Sequence, residues 1–558
     1  MKTKLKALVK VAVEACFEEG ILSRVPVPDY VIEIPNNPNH GDFATNLPLV
    51  LSASQKRPPR EIASLIIDHL KDNGGLLENA EVAGPGFINF QVSAEKWYCV
   101  LSDIVRLRER YGRSEVGNHR KVMIEFVSAN PTGPLHLGHG RGAALGDTLS
   151  RVFSFCGYDV AREFYINDAG LQVRLLGESI FSRFKQMTVQ DYAFPQKGYH
   201  GDYISDLAET ISREIDLDEM SEEAAAEICA QKGKVRMLEE IKQDLENFRV
   251  SFDLWYSESD LYGSGQLQKA LDMMEGGENL YEKDGALWIG TSKFGDDKDR
   301  VIRKKDGQFT YFATDMSYHL NKRARGFEKA INVWGADHHG YIPRMKAALS
   351  AYGFPEDWLS VVLIQLVKLW RGGLEIKMSK RAGSYVTLQE LVNEVGVDAV
   401  RFVFLSKNHD SPLDFDIDRV KKQDSENPVY YVQYAHARIC SIFRKAASEG
   451  ISLPDETDEF PDRLVLDEEL TLIKHMAAFP SLTEDICKCL EPHRLTYYLT
   501  ELAALFHQYF NLGTKIPDHR IVSPDLILSR ARLRLVDAVR IVIANGLGLL
   551  GINAPERM

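Results

Sequence analysis

The sequence predicts an α/β protein: an open parallel sheet mid-chain, with an N-terminal α+β domain before it and an all-helical domain after it. Three observations carry this expectation. From about residue 120, short apolar runs alternate with amphipathic helical stretches, the pattern of parallel strands joined by crossover helices. Before that point helical and strand periodicities are mixed, and after about 420 the apolar residues recur at helical spacing. At 558 residues, the chain is also too long for a single core.

Residues 1–115 read as the α+β unit, with helical stretches near 3–18 and 60–72 and a turn followed by an alternating strand in "EVAGPGFINFQVS" (Glu81 to Ser93). The opening "MKTKLKALVKVAVEACFEEG" has a basic start and an apolar stripe, as a signal peptide does. Lys6, Lys10 and Glu14 interrupt it at four-residue spacing, which places them on one face of an amphipathic helix. The loop "PNNPNHGDFATN" is irregular by composition, and "GRSEVGNH" reads as a linker.

Residues 116–420 carry the strand–helix alternation. "KVMIEFV" is a short apolar strand, followed by a glycine-rich loop and the helix "GAALGDTLSRVFSFCG". A strand in "DVAREFYI" and a helix after Asp168 come next, and the pattern resumes with "AINVWGADHHG" and "VVLIQLV". Residues 180–300, rich in acidic helical sequence, read as an insertion. Residues 421–558 are helical, as in "PVYYVQYAHARICSIFRKAA".

Bulk properties exclude several classes. No apolar run is long enough to span a bilayer, so no membrane partner is expected. Seven scattered cysteines argue against a disulfide framework and point to the cytoplasm. Cys487 and Cys489 lack the spacing of a zinc knuckle, so no structural zinc and no other resident metal is expected. The net charge is -13, but the sign is segregated. Acidic runs at 214–223 and 455–462 hold much of the excess, while basic clusters recur at "RKK" (Arg303 to Lys305), "NKRARG" (Asn321 to Gly326), "KMSKR" (Lys377 to Arg381) and "RVKK" (Arg419 to Lys422). Each cluster taken singly reads as a solvated face, yet one basic face suffices for a polyanion.

The chemistry lies in two stretches. In "SANPTGPLHLGHGRGAALGD" (Ser128 to Asp147) a strand runs through a glycine-rich turn into a helix, an arrangement that aims backbone N–H groups at a phosphate. Gly138, Gly140 and Gly142 would let a nucleotide approach, and His136 and His139, three apart, can donate to its oxygens. In "KMSKR", two lysines flank a serine after the glycine turn of "LWRGGLEI", suited to gripping polyphosphate. Together the two stretches describe a site that activates a substrate with ATP.

These motifs resemble the two signatures of class I aminoacyl-tRNA synthetases, and the surrounding sequence resembles arginyl-tRNA synthetase of the bacterial type. "IEFVSANPTGPLHLGHGRGAALGD", "WGADHHGYIPRMKAAL", "VKLWRGGLEIKMSKRAG", "NHGDFATN", "GPGFINF" and the terminal "PERM" carry the likeness across essentially the whole chain. Both signatures are intact, including Lys380, which many arginyl enzymes lack. The resemblance implies a Rossmann-like catalytic domain over 116–420, an N-terminal domain over 1–115 that touches tRNA, and an anticodon-binding domain over 421–558.

It further implies that arginine is activated with ATP, accompanied by Mg2+, to arginyl-adenylate and then passed to the terminal adenosine of its tRNA. In that scheme His136, His139, Lys377 and Lys380 are catalytic, and Gly138, Gly335, Asp337, Met378 and Ser379 hold ATP. Glu125, Ser128, Asn130, Glu258, Tyr311, Asp315 and His338 hold arginine, with Glu258, Tyr311 and Asp315 on the guanidinium. A monomer is the family expectation. Aromatics among basic residues in "YYVQYAHAR" (Tyr430 to Arg438) suit base stacking in the helical domain. Two other readings use the same residues: a small-molecule ligase or nucleotidyltransferase without tRNA, and a catalytically silent RNA-binding paralogue.

Overall fold

Helix α1 (Lys2–Glu18) forms as its charge spacing requires, with Lys6 and Lys10 in solvent and Leu5, Val9, Ala12, Val13 and Cys16 buried. It belongs to an antiparallel sheet unit ordered β1-β2-β4-β3, built from β1 (Ile32–Glu33), β2 (Phe43–Thr45), β3 (Leu77–Ala83) and β4 (Phe87–Val92). Helices α2 (Leu47–Gln55), α3 (Pro59–Asp68) and α4 (Ala94–Leu107) complete the unit. The turn at Gly84 and Gly86 joins β3 to β4, so Glu81–Ala83 is a strand before the turn rather than part of it. In this computed structural model the residues described are 1–35, 37–168, 170–189, 191–259, 265, 279–376, 386–455 and 463–558.

The central sheet is parallel, in the order β12-β11-β5-β6-β7. Its strands are β5 (Lys121–Glu125), β6 (Asp159–Ile166), β7 (Leu254–Ser257), β11 (Lys329–Gly335) and β12 (Leu359–Ile364). The chain starts at β5 in the middle, winds outward to β6 and β7, then returns to the other side of β5 as β11 and β12. Strand order therefore reverses between β5 and β11, and ligands of open α/β sheets bind in the crevice outside the strand ends at such a point. β7 falls inside the stretch read as one insertion, so that stretch is in two pieces. Helices α6 (Leu171–Gln186), α7 (Asp202–Glu214) and α8 (Glu222–Asn247) precede the strand. A small antiparallel sheet of β8 (Leu280–Lys283), β9 (Ala286–Ile289) and β10 (Arg300–Arg303) follows it.

Helix α5 (Leu137–Phe155) connects β5 to β6 and is buried on nearly every side. Small residues permit this: Gly146 lies against the Phe126 ring, and a Cβ on Gly140 would meet Leu388 at 2.6 Å and Phe404 at 2.9 Å. The helix begins at Leu137, earlier than the sequence suggested, so Gly138, Gly140 and Gly142 stand in its first turns. Gly140 serves helix packing rather than nucleotide approach.

Helix α9 (Tyr311–Ala324) precedes β11, and α10 (Ile342–Ala351) follows it. β13 (Val367–Arg371) and β14 (Leu374–Ile376) form a hairpin through Gly372 and Gly373, both at positive φ as a two-residue turn of this kind demands. Helices α11 (Leu388–Val395) and α12 (Val397–Phe404) and strand β15 (Leu413–Asp416) lead to the C-terminal bundle. That bundle contains α13 (Pro428–Ser448), α14 (Asp467–Ala477), α15 (Phe479–Cys489), α16 (His493–Lys515) and α17 (Leu526–Leu549). Tyr98 and Tyr111 donate to the carbonyls of Leu464 and Met476, tying the N-terminal unit to it. Among the described residues no helix is long and apolar enough to cross a membrane.

Candidate active site

At the switch point β5 ends in a tight reversal. Ser128 N–H donates to the Phe126 carbonyl across Val127, whose φ is 67°, a γ-turn of the rare hand. Holding a β-branched residue there costs about 1–3 kcal/mol. The turn brings the Ser128 hydroxyl back to Glu125 Oε1 at 3.1 Å, where it also accepts from Tyr165 N–H. Asn130 is fixed by Gln172, whose Oε1 accepts from Asn130 Nδ2 at 2.6 Å.

His136 is the N-cap of α5. Its Nδ1 accepts from the backbone N–H of Gly138 at 3.1 Å and of His139 at 3.3 Å, while His139 Nδ1 accepts from His136 N–H at 3.3 Å. Both Nδ1 atoms are acceptors, so each neutral ring carries its proton on Nε2. The rings stack with centroids 3.6 Å apart. The capping box thus explains the three-residue spacing: each histidine satisfies a helix N-terminus with one nitrogen and keeps the other as an N–H donor.

The chain that follows the second signature meets the first. β14 ends at Ile376, and the chain is next described at Val386, where Thr387 bridges to His136 and Leu388 N–H donates to the Leu135 carbonyl at 2.8 Å. Lys377, Met378, Ser379 and Lys380 lie outside the described residues.

A cavity of about 1070 Å³ opens at this point. Ser128, Asn130, His136, Gly138 and His139 line it from the β5 side, and Gly335, Asp337 and His338 from the β11 side. Beside it stand carboxylates without described cation partners. Glu258 is only 4% exposed, and burial, with Asp315 and Asp168 nearby, pushes its carboxyl up to about 7. Burial likewise raises Asp315 to about 6, opposed by the hydrogen bond that Tyr341 donates to it. Among the described residues neither carboxylate has an ion-pair partner. Two raised acids side by side make a site that favours a cation.

Three family models cover nearly all of the chain. The "Arginyl tRNA synthetase N terminal domain" matches residues 3–92, "tRNA synthetases class I (R), catalytic domain" matches 101–441, and "DALR anticodon binding domain" matches 432–558. The arginine–tRNA ligase of Desulfosudis oleivorans is 48% identical over 562 residues, covering 100% of both chains. That of Syntrophotalea carbinolica is 46% identical over 560 residues, again 100% of both. The chain belongs to the arginyl-tRNA synthetase family. Its activity is the ATP-dependent charging of tRNA with arginine in translation. Thermus thermophilus arginyl-tRNA synthetase shares the fold, with a TM-score of 0.76 at 24% identity over 99% of this chain and 100% of that one.

Within this synthetase the expected site residues divide into groups. Those from the turn after β5, the start of α5 and the end of β11 meet in one cavity. Glu125, Glu258 and Asp315 lie next to it rather than in its lining, and Tyr311, 74% exposed, stands at the first turn of α9 with its hydroxyl near Gly170. Sequence reasoning missed Gln172, Tyr341 and Tyr203. Tyr203, at the start of α7, donates to the Thr132 carbonyl at 2.8 Å, so the segment before β7 reaches the signature loop. It also missed Lys322, placed in a basic cluster read as a solvated face but in fact 0% exposed, with Glu125 at 2.6 Å. The legible signal was the spacing of Asp315, His319 and Lys322, polar residues on one helix face toward the core.

Changing His136 to Asn tests whether that ring does more than cap the helix. Asparagine keeps the N-cap acceptor but removes the Nε2 donor. The rate of arginine-dependent pyrophosphate exchange should fall about 10²-fold or more, with the melting temperature nearly unchanged. A melting loss without a rate loss would assign His136 to capping alone.

Proposed function

We propose that the switch-point cavity is where ATP and arginine react. His136 and His139 donate from Nε2 to the phosphates and Lys377 and Lys380 hold the β- and γ-phosphates, while Gly138, Gly335, Asp337, Met378 and Ser379 contact the rest of ATP. Ser128, Asn130, Glu125 and His338 hold the α-amino end of arginine, and Glu258, Tyr311 and Asp315 hold the guanidinium. The observation that carries this reading is the pairing of two oriented imidazole donors after β5 with two buried acids, Glu258 at the end of β7 and Asp315 on α9, that have no ion-pair partner among the described residues. The arginine carboxylate attacks the α-phosphorus and pyrophosphate leaves; the enzyme's part is positioning and stabilising charge on the phosphates. Magnesium enters with ATP, its ligands supplied chiefly by phosphate oxygens, and no structural zinc takes part.

The tRNA half of the proposal divides the chain near 115 and 420. The C-terminal domain receives the anticodon stem and loop, the N-terminal domain touches the outer part of the tRNA, and the terminal adenosine takes the arginyl group. A groove of about 810 Å³ in the C-terminal domain supports this, with Arg438 between Tyr434 and Phe510, ring centroids 4.4 and 4.7 Å away, and Arg520 beside them. Of the expected stretch Tyr430 to Arg438, Tyr434 and Arg438 face the groove, while Val432, Ala435 and His436 are buried. The enzyme acts as a cytoplasmic monomer in this reading.

Amino-acid-dependent ATP–pyrophosphate exchange, run with and without tRNA, tests it. Exchange with arginine alone and only with tRNA present is expected. Exchange independent of tRNA favours a small-molecule ligase, and none favours a silent RNA binder. The pH profile adds a signed expectation. Glu258 and Asp315 bind the guanidinium ionised, and their raised pKa values of about 7 and 6 mean both become protonated as pH falls. The arginine KM should therefore rise between pH 8 and 5.5, while the ATP KM stays comparatively flat.

A further inference from the structure

Helix α9 carries more than Asp315. Asp315, His319 and Lys322 stand at i, i+4 and i+7 and share one face. The Lys322 ammonium, 0% exposed, meets Glu125 Oε2 at 2.6 Å, Asn332 Oδ1 at 3.0 Å and the Tyr318 ring with its centroid at 4.4 Å. Asn332 Nδ2 donates to His319 Nε2 at 3.0 Å, and His319 Nδ1 donates to the Asp315 carbonyl at 2.7 Å. This chain links the residue assigned to the guanidinium with the lysine beneath Glu125. Burying an ion pair costs desolvation that apolar residues of the same volume avoid, so packing alone gives no reason for a lysine here.

The reason lies in the charges of arginine. Its α-ammonium is balanced by its own carboxylate, while its guanidinium is not. A pocket with bare carboxylates at both ends would accept the molecule in either direction. Here the two ends differ: among the described residues Glu258 and Asp315 have no ion-pair partner, Lys322 acting on Asp315 only beyond ion-pair distance, whereas Glu125 meets Lys322 at 2.6 Å. Glu125 ends β5 and leads into the Ser128 turn, on the same segment as the signature histidines. The neutral end therefore lies where the reacting carboxylate must be.

We propose that Lys322 is a positioning and specificity-determining residue: by balancing Glu125 it makes the α-amino end of the pocket neutral, which sets the direction of arginine and rejects cations lacking a carboxylate. The proposal rests on the pocket reading given above.

The test compares arginine with agmatine, which is arginine without its carboxylate, in tRNA-dependent pyrophosphate exchange. The variants are Lys322→Met, Glu125→Gln and the double variant. In Lys322→Met the kcat for arginine should fall about tenfold, because the uncovered Glu125 also accepts the guanidinium and seats arginine in the unproductive direction. The ATP KM should stay within about twofold, and agmatine should gain as an inhibitor, so that the ratio of its Ki to the arginine KM falls about tenfold. Glu125→Gln, which leaves the lysine unbalanced, should move that ratio upward, and the double variant should bring it back toward the starting enzyme. The double variant removes both buried charges of this pair, so the comparison holds even if Lys322→Met does not fold. A ratio equal in all folded forms overturns the proposal, as does a loss in Lys322→Met shared equally by arginine and ATP. Absence of arginine-dependent exchange in the unsubstituted enzyme overturns the pocket reading itself, and this inference with it.

Discussion

Replacing Asp315 by Asn should reduce kcat/KM for arginine by about 10²–10³-fold, because it leaves a guanidinium facing a neutral amide in a buried pocket. The shape is preserved: asparagine still accepts from Tyr341 and stays on the same turn of α9. What is lost is one of two carboxylates whose pKa values are raised chiefly by burial and further by neighbouring carboxylates. Removing it should also lower the pKa of Glu258, since Asp315 is one of the groups holding that carboxyl up. The variant should keep its ATP KM and show an arginine pH profile shifted to lower pH. Steady-state exchange from pH 5.5 to 8.5 reads both. Unchanged arginine kinetics would remove Asp315 from the pocket.

Arg401→Met should destabilise the enzyme by about 3 kcal/mol or more, since it breaks a buried ion pair and leaves the partner charge behind. Arg401 is 0% exposed and joins three parts of the chain: Nη2 meets Asp147 of α5 at 2.5 Å, Nε donates to the Leu550 carbonyl at 2.8 Å, and Nη1 donates to the Phe248 carbonyl at 3.1 Å. Gly551, at φ 69°, leaves room for it; a Cβ there would lie 2.4 Å from Nη2. Arg151 also reaches Asp147, at 2.8 Å, so the carboxylate keeps one partner and the loss stops short of unfolding. Urea titration followed by tryptophan fluorescence should show an earlier transition for the variant. An unchanged midpoint would mean that this contact between the signature helix and the C-terminal domain contributes little.

The parallel sheet was legible because its strands are short apolar runs between helical stretches, and β6 spans the expected "DVAREFYI" from end to end. β7 was hidden, since "LWYS" is four residues with no alternation to mark it. The start of α5 was misplaced because glycine reads as a turn residue, whereas here glycines let a helix pass close to Phe126, Leu388 and Phe404. That requirement belongs to tertiary packing, which no local pattern encodes. The signature histidines were found, but not their capping box, which depends on ring orientation. Val127 at positive φ runs against the preference of a β-branched residue, so nothing local announces the turn that places Ser128. Lys322 was visible only as one member of a basic cluster; its burial follows from the face of α9 that meets Glu125 and Asn332.

In the proposed pocket arginine lies with its guanidinium at Glu258 and Asp315 and its α-amino end at Glu125 and Ser128, with the reacting carboxylate beneath the paired histidines. A crystal structure of the enzyme with tRNA and a non-hydrolysable arginyl-adenylate analogue tests this. Guanidinium nitrogens are expected within hydrogen-bond distance of both Glu258 and Asp315, and the phosphate analogue within reach of His136 and His139 Nε2. A guanidinium bound elsewhere, or an α-ammonium seated between Glu258 and Asp315, would contradict it.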